Sequence, residues 1–111
     1  MVSTIISDKD NGVGKKVNWP GTIKYLNNFI YFTATYINEN GVIATTDTNI
    51  NKGQEILVLV RGFHNSQKLS IYAKAQVIRS MLTSAGFELV IHFADLPSKM
   101  QEALDDFLND I

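Results

Sequence analysis

Two adjacent lysines, Lys15 and Lys16, end a glycine-rich stretch near the start of the chain, Asn11-Gly12-Val13-Gly14. Such a stretch suits phosphate, because glycine lets the backbone approach an anion closely and an ammonium group supplies the opposite charge. The stretch lacks the full spacing of a P-loop, and no helical pattern follows it to direct backbone N–H groups at a phosphate. We therefore do not expect a phosphate-binding loop of that class.

The other side chains able to do chemistry are not grouped in the sequence. His64 and His92 have no metal-ligand spacing, and we interpret both as surface residues. Asp105, Asp106 and Asp110 are predicted on the polar side of a helix, so no carboxylate pair is held for acid–base catalysis. The absence of cysteine excludes a disulfide framework, a thiolate zinc site and a cysteine nucleophile. We expect neither an enzyme nor a bound metal or cofactor.

The composition is that of an ordinary globular protein. Of 111 residues, 45% are hydrophobic and 19% are charged, and no apolar run approaches the roughly 18 residues that a membrane helix needs. The net charge is −1, whereas affinity for nucleic acid depends on accumulated positive charge. Residues 1–8 show neither a basic leader nor a secretory signal. We expect one soluble, cytoplasmic domain over residues 1–111, with neither membrane insertion nor a nucleic-acid partner.

The elements that must position these side chains are predicted to be short strands separated by turns. Phe29 to Ile37 is rich in aromatic and β-branched residues, and Asn40-Gly41 supplies a two-residue hairpin signal before the next strand. The aromatic side chains of this segment suit base stacking, as on single-strand binding barrels, but we interpret them as core residues. They are Phe29, Tyr31, Phe32 and Tyr36.

Further strands are indicated by apolar patterns. Ile56 to Val60 is a continuous apolar run, which predicts a strand buried on both faces. Leu69 to Val77 and Phe87 to Phe93 carry apolar residues at alternate positions, so each is predicted to turn one face inward. We expect these two strands to pair across Thr83 to Gly86.

The apolar period changes after Pro97, where spacings of three and four predict one amphipathic helix over about residues 97–111. Its start is marked by Pro97 as the first helical residue, or by Ser98 in a capping box with Gln101. The apolar face either completes the core or docks a protein partner, including a second copy of the chain. The candidate partner-binding residues are Met100, Leu104, Phe107, Leu108 and Ile111.

From Thr35 to Leu108, about two thirds of the chain, the order of features resembles a PilZ domain, a small bacterial barrel best known as a receptor for cyclic di-GMP. Tyr36 to Gly41 resembles the family's Asp/Asn-x-Ser-x-x-Gly turn. Val77 to Arg79 resembles its Val-hydrophobic-Arg strand end, and Gly86 to Phe93 resembles the strand that leads into its helix. The resemblance implies a mainly β fold, a six-stranded antiparallel β-barrel over about residues 1–94 with a C-terminal amphipathic α-helix.

The family's turn motif is altered at its polar positions. Matching the final glycine to Gly41 places Tyr36 at the Asp/Asn position and Asn38 at the Ser position, while starting the motif at Asn38 loses the glycine. Tyrosine brings a bulky ring where a small acceptor is expected, so a contact to a guanine edge is lost. Gly41 is explained by the needs of a tight hairpin, whatever the ligand.

The family's upstream Arg-x-x-x-Arg motif is absent. Its guanidinium groups grip phosphate and stack on guanine, which lysine does poorly because an ammonium is neither planar nor forked. No arginine precedes Arg61, and Lys15 and Lys16 stand near the expected place. Arg79 either lies at a barrel rim or contacts a ligand.

The resemblance thus implies a degenerate PilZ-like signalling or adaptor domain that has lost ordinary cyclic di-GMP recognition and acts by binding proteins, in type IV pilus or motility machinery. The alternative is a receptor that binds cyclic di-GMP in an altered mode, and only this alternative has the nucleotide as a ligand. Its candidate site residues are Lys15, Lys16, Tyr36, Asn38, Gly41 and Arg79.

Overall fold

The computed structural model describes residues 14–110, so the predictions made for Gly12, Val13 and Ile111 lie outside the described residues. The described part contains six strands and one helix, with the following bounds: β1 (Lys15–Tyr25), β2 (Asn28–Asn38), β3 (Gly41–Thr46), β4 (Glu55–His64), β5 (Gln67–Thr83), β6 (Gly86–Asp95) and α1 (Ser98–Leu108). All pairings are antiparallel, and the strands close into a barrel in the order β1-β2-β3-β6-β5-β4. The predicted six-stranded barrel with a C-terminal helix is confirmed.

The barrel interior is filled by alternate residues of its strands, as expected when one face of each strand is buried. The predicted inward positions of β5 are all buried: Leu69, Ile71, Ala73, Ala75 and Val77. The β5–β6 hairpin pairs Thr83 with Gly86, which confirms the predicted pairing.

The prediction for the apolar run of β4 is wrong in its burial. Ile56, Val58 and Val60 are buried, but Leu57 and Leu59 are only half-buried. The barrel wall is a single layer, so one face of β4 turns to the core and the other to the outer surface. A continuous apolar run therefore does not mean burial on both faces here.

The core interpretation of the aromatic residues in β2 is correct for Phe32 and wrong for its neighbours. Phe32 is 5% exposed, whereas Phe29 is 66% and Tyr31 is 76% exposed. Ile30 and Phe32 take the inward positions of this stretch, and the period of two then places Phe29 and Tyr31 outside.

The hairpin between β2 and β3 forms where it was predicted, but its turn residues differ. Asn38 pairs with Gly41, so the two loop residues are Glu39 and Asn40. Gly41 is the first residue of β3 and does not adopt a positive φ. Its requirement for glycine must come from its surroundings.

The helix begins as neither sequence signal predicted. Pro97 is the N-cap residue, one position before the first helical residue, and no side-chain hydrogen bond caps this end. The proposed capping box of Ser98 with Gln101 is therefore wrong. Instead, the Gln101 amide donates to the Pro97 carbonyl oxygen at 2.9 Å. Helix α1 also ends at Leu108, earlier than predicted.

The apolar face of α1 packs on the barrel. Leu104 is fully buried and Leu108 is 4% exposed, and both belong to the core cluster. The ring of Phe107 contacts the Trp19 ring with centroids 4.8 Å apart. The Met100 sulfur accepts from the Tyr72 amide at 3.1 Å, on a stretch of β5 that pairs only with β4. The helix thus completes the core, so Leu104 and Leu108 are not part of an accessible docking face.

Candidate functional site

Five residues on adjacent strands form one row across the barrel wall, which we call the cross-strand row. Lys16 is opposite Tyr36, Tyr36 is opposite Ile43, Ile43 is opposite Val90, and Val90 is opposite Arg79. Directly opposed residues place their side chains on the same face of a sheet. With strands spaced about 4.8 Å apart, Tyr36 and Arg79 are separated by roughly 14 Å along the wall. The fold thus brings Lys16, Tyr36 and Arg79 onto one outer surface.

Lys15 points away from this row. It is opposite Ile37, a fully buried core residue, so its side chain extends on the inner side of the wall toward α1. Its ammonium donates to the carbonyl oxygens of Phe107 at 2.7 Å and Asp110 at 2.6 Å, and lies 4.6 Å from the centroid of the Phe107 ring. The predicted site therefore separates, with Lys16 on the outer surface and Lys15 at the helix terminus.

Lys15 supplies hydrogen-bond donors to the C-terminal carbonyl groups of α1. The last turn of α1 has no basic residue, although the final carbonyl groups of a helix lack intrahelical partners and carry partial negative charge. The ammonium of Lys15 supplies both the hydrogen-bond donors and the positive charge. Lys15 is thus a helix cap contributed by the first strand.

Tyr36, at the position of the family's small acceptor, packs against the start of β1. A Cβ atom placed on Gly14 would collide with the Tyr36 hydroxyl and ring. Tyr36 is half-buried and lies opposite Lys16. Gly14 therefore permits a close approach of the tyrosine ring, and the space beside β1 is filled by that ring.

Asn38 is used by the hairpin itself. Its side chain is fully buried, and Oδ1 accepts from the backbone amides of Asn40 at 2.8 Å and Gly41 at 3.1 Å. Its Nδ2 is buried without a hydrogen-bond partner among residues 14–110. The acceptor oxygen of Asn38 thus stabilises the turn and is not accessible at the surface.

Gly41 is required by the neighbouring strand. A Cβ atom at this position would collide with the Ile91 carbonyl oxygen of β6, the strand that pairs with β3. Any other residue would force the two backbones apart. The sequence prediction that Gly41 reports the fold is correct, but the cause is close strand approach rather than turn conformation.

Arg79 supplies the guanidinium of the cross-strand row. It is half-buried beside a register shift of β5, and its Nη2 donates to the Met81 sulfur at 3.9 Å. Sulfur is a weak acceptor, and no carboxylate of the described chain forms a salt bridge with Arg79. Of the candidate ligand contacts, Arg79 and Lys16 are the charged groups on the outer surface.

A cluster around Phe107 was missed by the sequence analysis. Trp19, Lys15 and His64 all contact the Phe107 ring, with the His64 ring edge-on at a centroid distance of 5.4 Å. His64 Nε2 donates to Asp110 Oδ2 at 2.7 Å, and this hydrogen bond is the main cause that lowers the pKa of Asp110. The only related feature of the sequence is that the last turn of α1 contains no basic residue of its own, which leaves its carbonyl groups open to a cation from elsewhere in the chain.

Two negative findings apply to the described residues. Within residues 14–110, no group of three or more His, Cys, Asp or Glu side chains is arranged to hold a metal ion. The described helix is too short and too polar to cross a bilayer.

The same architecture occurs in solved structures. The Bacillus subtilis inhibitor of motility, MotI, aligns with a TM-score of 0.80 at 15% identity, over 87% of this chain and 48% of that protein. The PilZ domain of YcgR from Escherichia coli, solved with cyclic di-GMP, aligns with a TM-score of 0.65 at 13% identity, over 87% of this chain and 86% of that domain. The fold is that of a PilZ domain. No family model and no curated protein matches the sequence.

A further PilZ-like structure shows what the fold can assemble into. A tetrameric PilZ domain from Xanthomonas campestris, self-assembled through a helical bundle, aligns with a TM-score of 0.53 at 21% identity, over 70% of this chain and 42% of that one. This chain spans about half the length of MotI. At these identities the likeness concerns the PilZ fold, and function must be argued from the residues of this chain.

Proposed function

We propose that this PilZ-like domain is a signalling adaptor that acts by binding another protein and has lost ordinary cyclic di-GMP recognition. The observation that carries the proposal is the use of Asn38 by the fold. Its Oδ1 accepts from two backbone amides of the β2–β3 turn, so the position of the family's serine offers no acceptor to a ligand.

The other changed positions support the same conclusion. Tyr36 fills the space beside Gly14 with a ring. Lys15 is bound to the C-terminus of α1, so it cannot replace an upstream arginine without leaving the helix. One guanidinium, that of Arg79, remains on the cross-strand row, whereas bidentate grip of phosphate and stacking on guanine call for planar forked groups.

The adaptor role is supported by two proteins that share this fold. MotI is an inhibitor of motility, and the Xanthomonas domain self-assembles into a tetramer. We propose a protein partner for this chain in motility or type IV pilus machinery, a cytoplasmic location, and residues 1–111 as one non-enzymatic domain. Self-association is a second form of the same protein-binding role.

A second candidate function is favoured by the cross-strand row. Lys16, Tyr36 and Arg79 share one outer surface, which suits a nucleotide bound in an altered mode by charge attraction and ring contact. In that mode the contribution of Lys15 is removed, because its ammonium caps α1. The altered mode therefore predicts weak, salt-sensitive binding.

Isothermal titration of the whole chain with cyclic di-GMP separates the two functions. The adaptor proposal expects no saturable binding with a Kd below about 100 µM, which corresponds to roughly 5 kcal/mol of binding free energy. Micromolar or tighter binding contradicts it. Binding that Lys16→Ala weakens supports the altered mode, and binding that this change leaves untouched places the nucleotide elsewhere.

A further inference from the structure

A second set of residues lies on the outer surface of the barrel, centred on β1 and β4 and across the barrel from β3. Tyr31, Thr22, Leu59 and Tyr72 form one row across β2, β1, β4 and β5. Phe29, Lys24, Leu57 and Lys74 form the next row. We call these two rows, together with the neighbouring Arg61, the aromatic wall.

The aromatic side chains of this wall are exposed. Phe29 is 66%, Tyr31 is 76% and Tyr72 is 46% exposed. With the half-buried Leu57 and Leu59 as a floor, they line a shallow hollow of about 360 Å³. Single exposed apolar residues are ordinary, but a contiguous patch of this kind marks a binding surface.

The turn between β1 and β2 borders the same wall. Leu26 is the first of its two loop residues and adopts a φ of 57°, as two-residue hairpin turns favour. Its side chain is 72% exposed and lines a hollow with Lys24, Leu57 and Lys74 of the wall and with Glu55. The turn thus places one more exposed apolar side chain at the border of the wall.

The charge of the wall indicates what it binds. The hollow between the aromatic rings is lined by two cations, Lys24 and Arg61, and by no carboxylate, whereas Lys74 at the edge of the wall lies opposite Asp95 of β6. The chain as a whole has a net charge of −1, so the charge of this hollow is opposite in sign to that of the chain. Two copies meeting face to face through the wall would oppose like charges, which disfavours a twofold dimer through it.

The geometry points to an acidic segment of a partner protein as the occupant, with an apolar side chain inserted between Phe29, Tyr31 and Tyr72. Aromatic anchors beside basic residues supply the binding energy and the charge complementarity that such a segment needs. Single-stranded nucleic acid also stacks on aromatic rings, but its affinity requires more positive charge than two cations on an acidic protein provide. The inference rests on the proposed adaptor function and gives it a surface.

Peptide selection on the whole chain tests this inference. Random dodecapeptides displayed on phage are selected on the immobilised protein, and the leading sequence is synthesised and titrated by fluorescence anisotropy. We expect Asp and Glu to be enriched around an aromatic or aliphatic anchor. We also expect Lys24→Glu to weaken binding and to flatten its dependence on salt.

The chain offers a matched control for the aromatic contacts. Phe29→Ala should weaken the peptide roughly tenfold, as truncation of an interface aromatic does. Leu82→Ala removes an apolar side chain at 71% exposure near the far end of β5, outside the wall, and should leave affinity unchanged. Both residues are exposed, so both variants should keep the wild-type melting temperature.

Four results would overturn the inference: peptides without acidic enrichment, no peptide that Phe29→Ala weakens, oligothymidylate binding that Phe29→Ala abolishes, or a sedimentation dimer that this change dissociates. The last two would identify the wall as a nucleic-acid platform or a self-association surface. A motility or pilus protein that binds the Phe29→Ala variant as tightly as the wild type would show that the wall is not the docking surface. The adaptor role would not be contradicted by that result. Micromolar cyclic di-GMP binding that Phe29→Ala leaves unchanged would overturn the proposed adaptor role but not the assignment of the wall.

Discussion

The ammonium of Lys15 donates to the carbonyl oxygen of Phe107 at 2.7 Å, across a separation of 92 residues in the sequence. The same group reaches the Asp110 carbonyl oxygen at 2.6 Å and lies over the Phe107 ring. The first strand is therefore tied to the last turn of the helix. A residue that the family resemblance placed near a phosphate site instead holds the fold together.

Lys15→Ala should destabilise the domain by about 1–2 kcal/mol, because it removes the charge and the donors at a partly buried helix C-terminus. Lys16→Ala is the matched control, since the adjacent lysine lies exposed on the opposite face, and should change stability by no more than about 0.5 kcal/mol. Thermal or urea denaturation measures both. Equal effects of the two changes would contradict the capping role of Lys15.

The helix face offers a second prediction. Leu104 is fully buried, so Leu104→Ala should cost about 2–5 kcal/mol, and Leu104→Lys should unfold the domain. Glu102→Ala on the exposed side of α1 should be nearly neutral. Circular dichroism with sedimentation distinguishes the outcomes. A folded Leu104→Lys protein of altered sedimentation mass would show that this face is an interface.

The strand pattern could be predicted because the period of two is set by the strand itself. Leu69 to Val77 alternates and lies on one face of β5, as the pattern required. The exposure of Phe29 and Tyr31 could not be predicted in the same way. Aromatic residues favour strands whether they face the core or a partner, so residue type alone does not distinguish the two.

The candidate site was predicted only in part, because its residues depend on long-range contacts. The register that aligns Lys16 and Tyr36 with Arg79 comes from the closed barrel. The separation of Lys15 from Lys16 follows from the alternation of β1, but the partner of Lys15 lies at the far end of the chain. The role of Asn38 depends on which residues form the turn, and the pairing of Asn38 with Gly41 makes these Glu39 and Asn40.

Asn38→Ala should destabilise the domain by about 1–3 kcal/mol, because the buried amides of the turn lose their shared acceptor. Asn40→Ala removes the same side-chain type from the same turn while keeping the backbone amide that Asn38 accepts from. It should therefore cost much less. Urea denaturation measures the difference, and similar losses for both variants would contradict the role of Asn38 as the turn acceptor.

The contact between His64 and Asp110 makes a prediction about pH. The His64 hydrogen bond holds the pKa of Asp110 below its ordinary value of 3.8. Because the folded-state pKa is lowered, the contribution of this carboxylate to stability is present above the unfolded-state pKa and is lost as pH falls through the folded one.

His64→Phe should therefore raise the pKa of Asp110 and make stability less dependent on pH in the acidic range. His92→Phe is the control, since this histidine lies opposite Gly41 on the barrel wall. An NMR titration of the Asp110 carboxyl carbon measures the change. An Asp110 titration that is identical in wild type and His64→Phe would contradict the assigned cause.

We propose that the residues matched to the family's nucleotide-binding motifs serve the fold in this chain. The most direct test of this proposal is an NMR titration of the nitrogen-15-labelled whole chain with cyclic di-GMP, with the PilZ domain of YcgR as the positive control. We predict that the backbone amides of Lys16, Tyr36 and Arg79 keep their chemical shifts in a large excess of nucleotide. Saturable shifts of these amides with micromolar affinity would contradict the account.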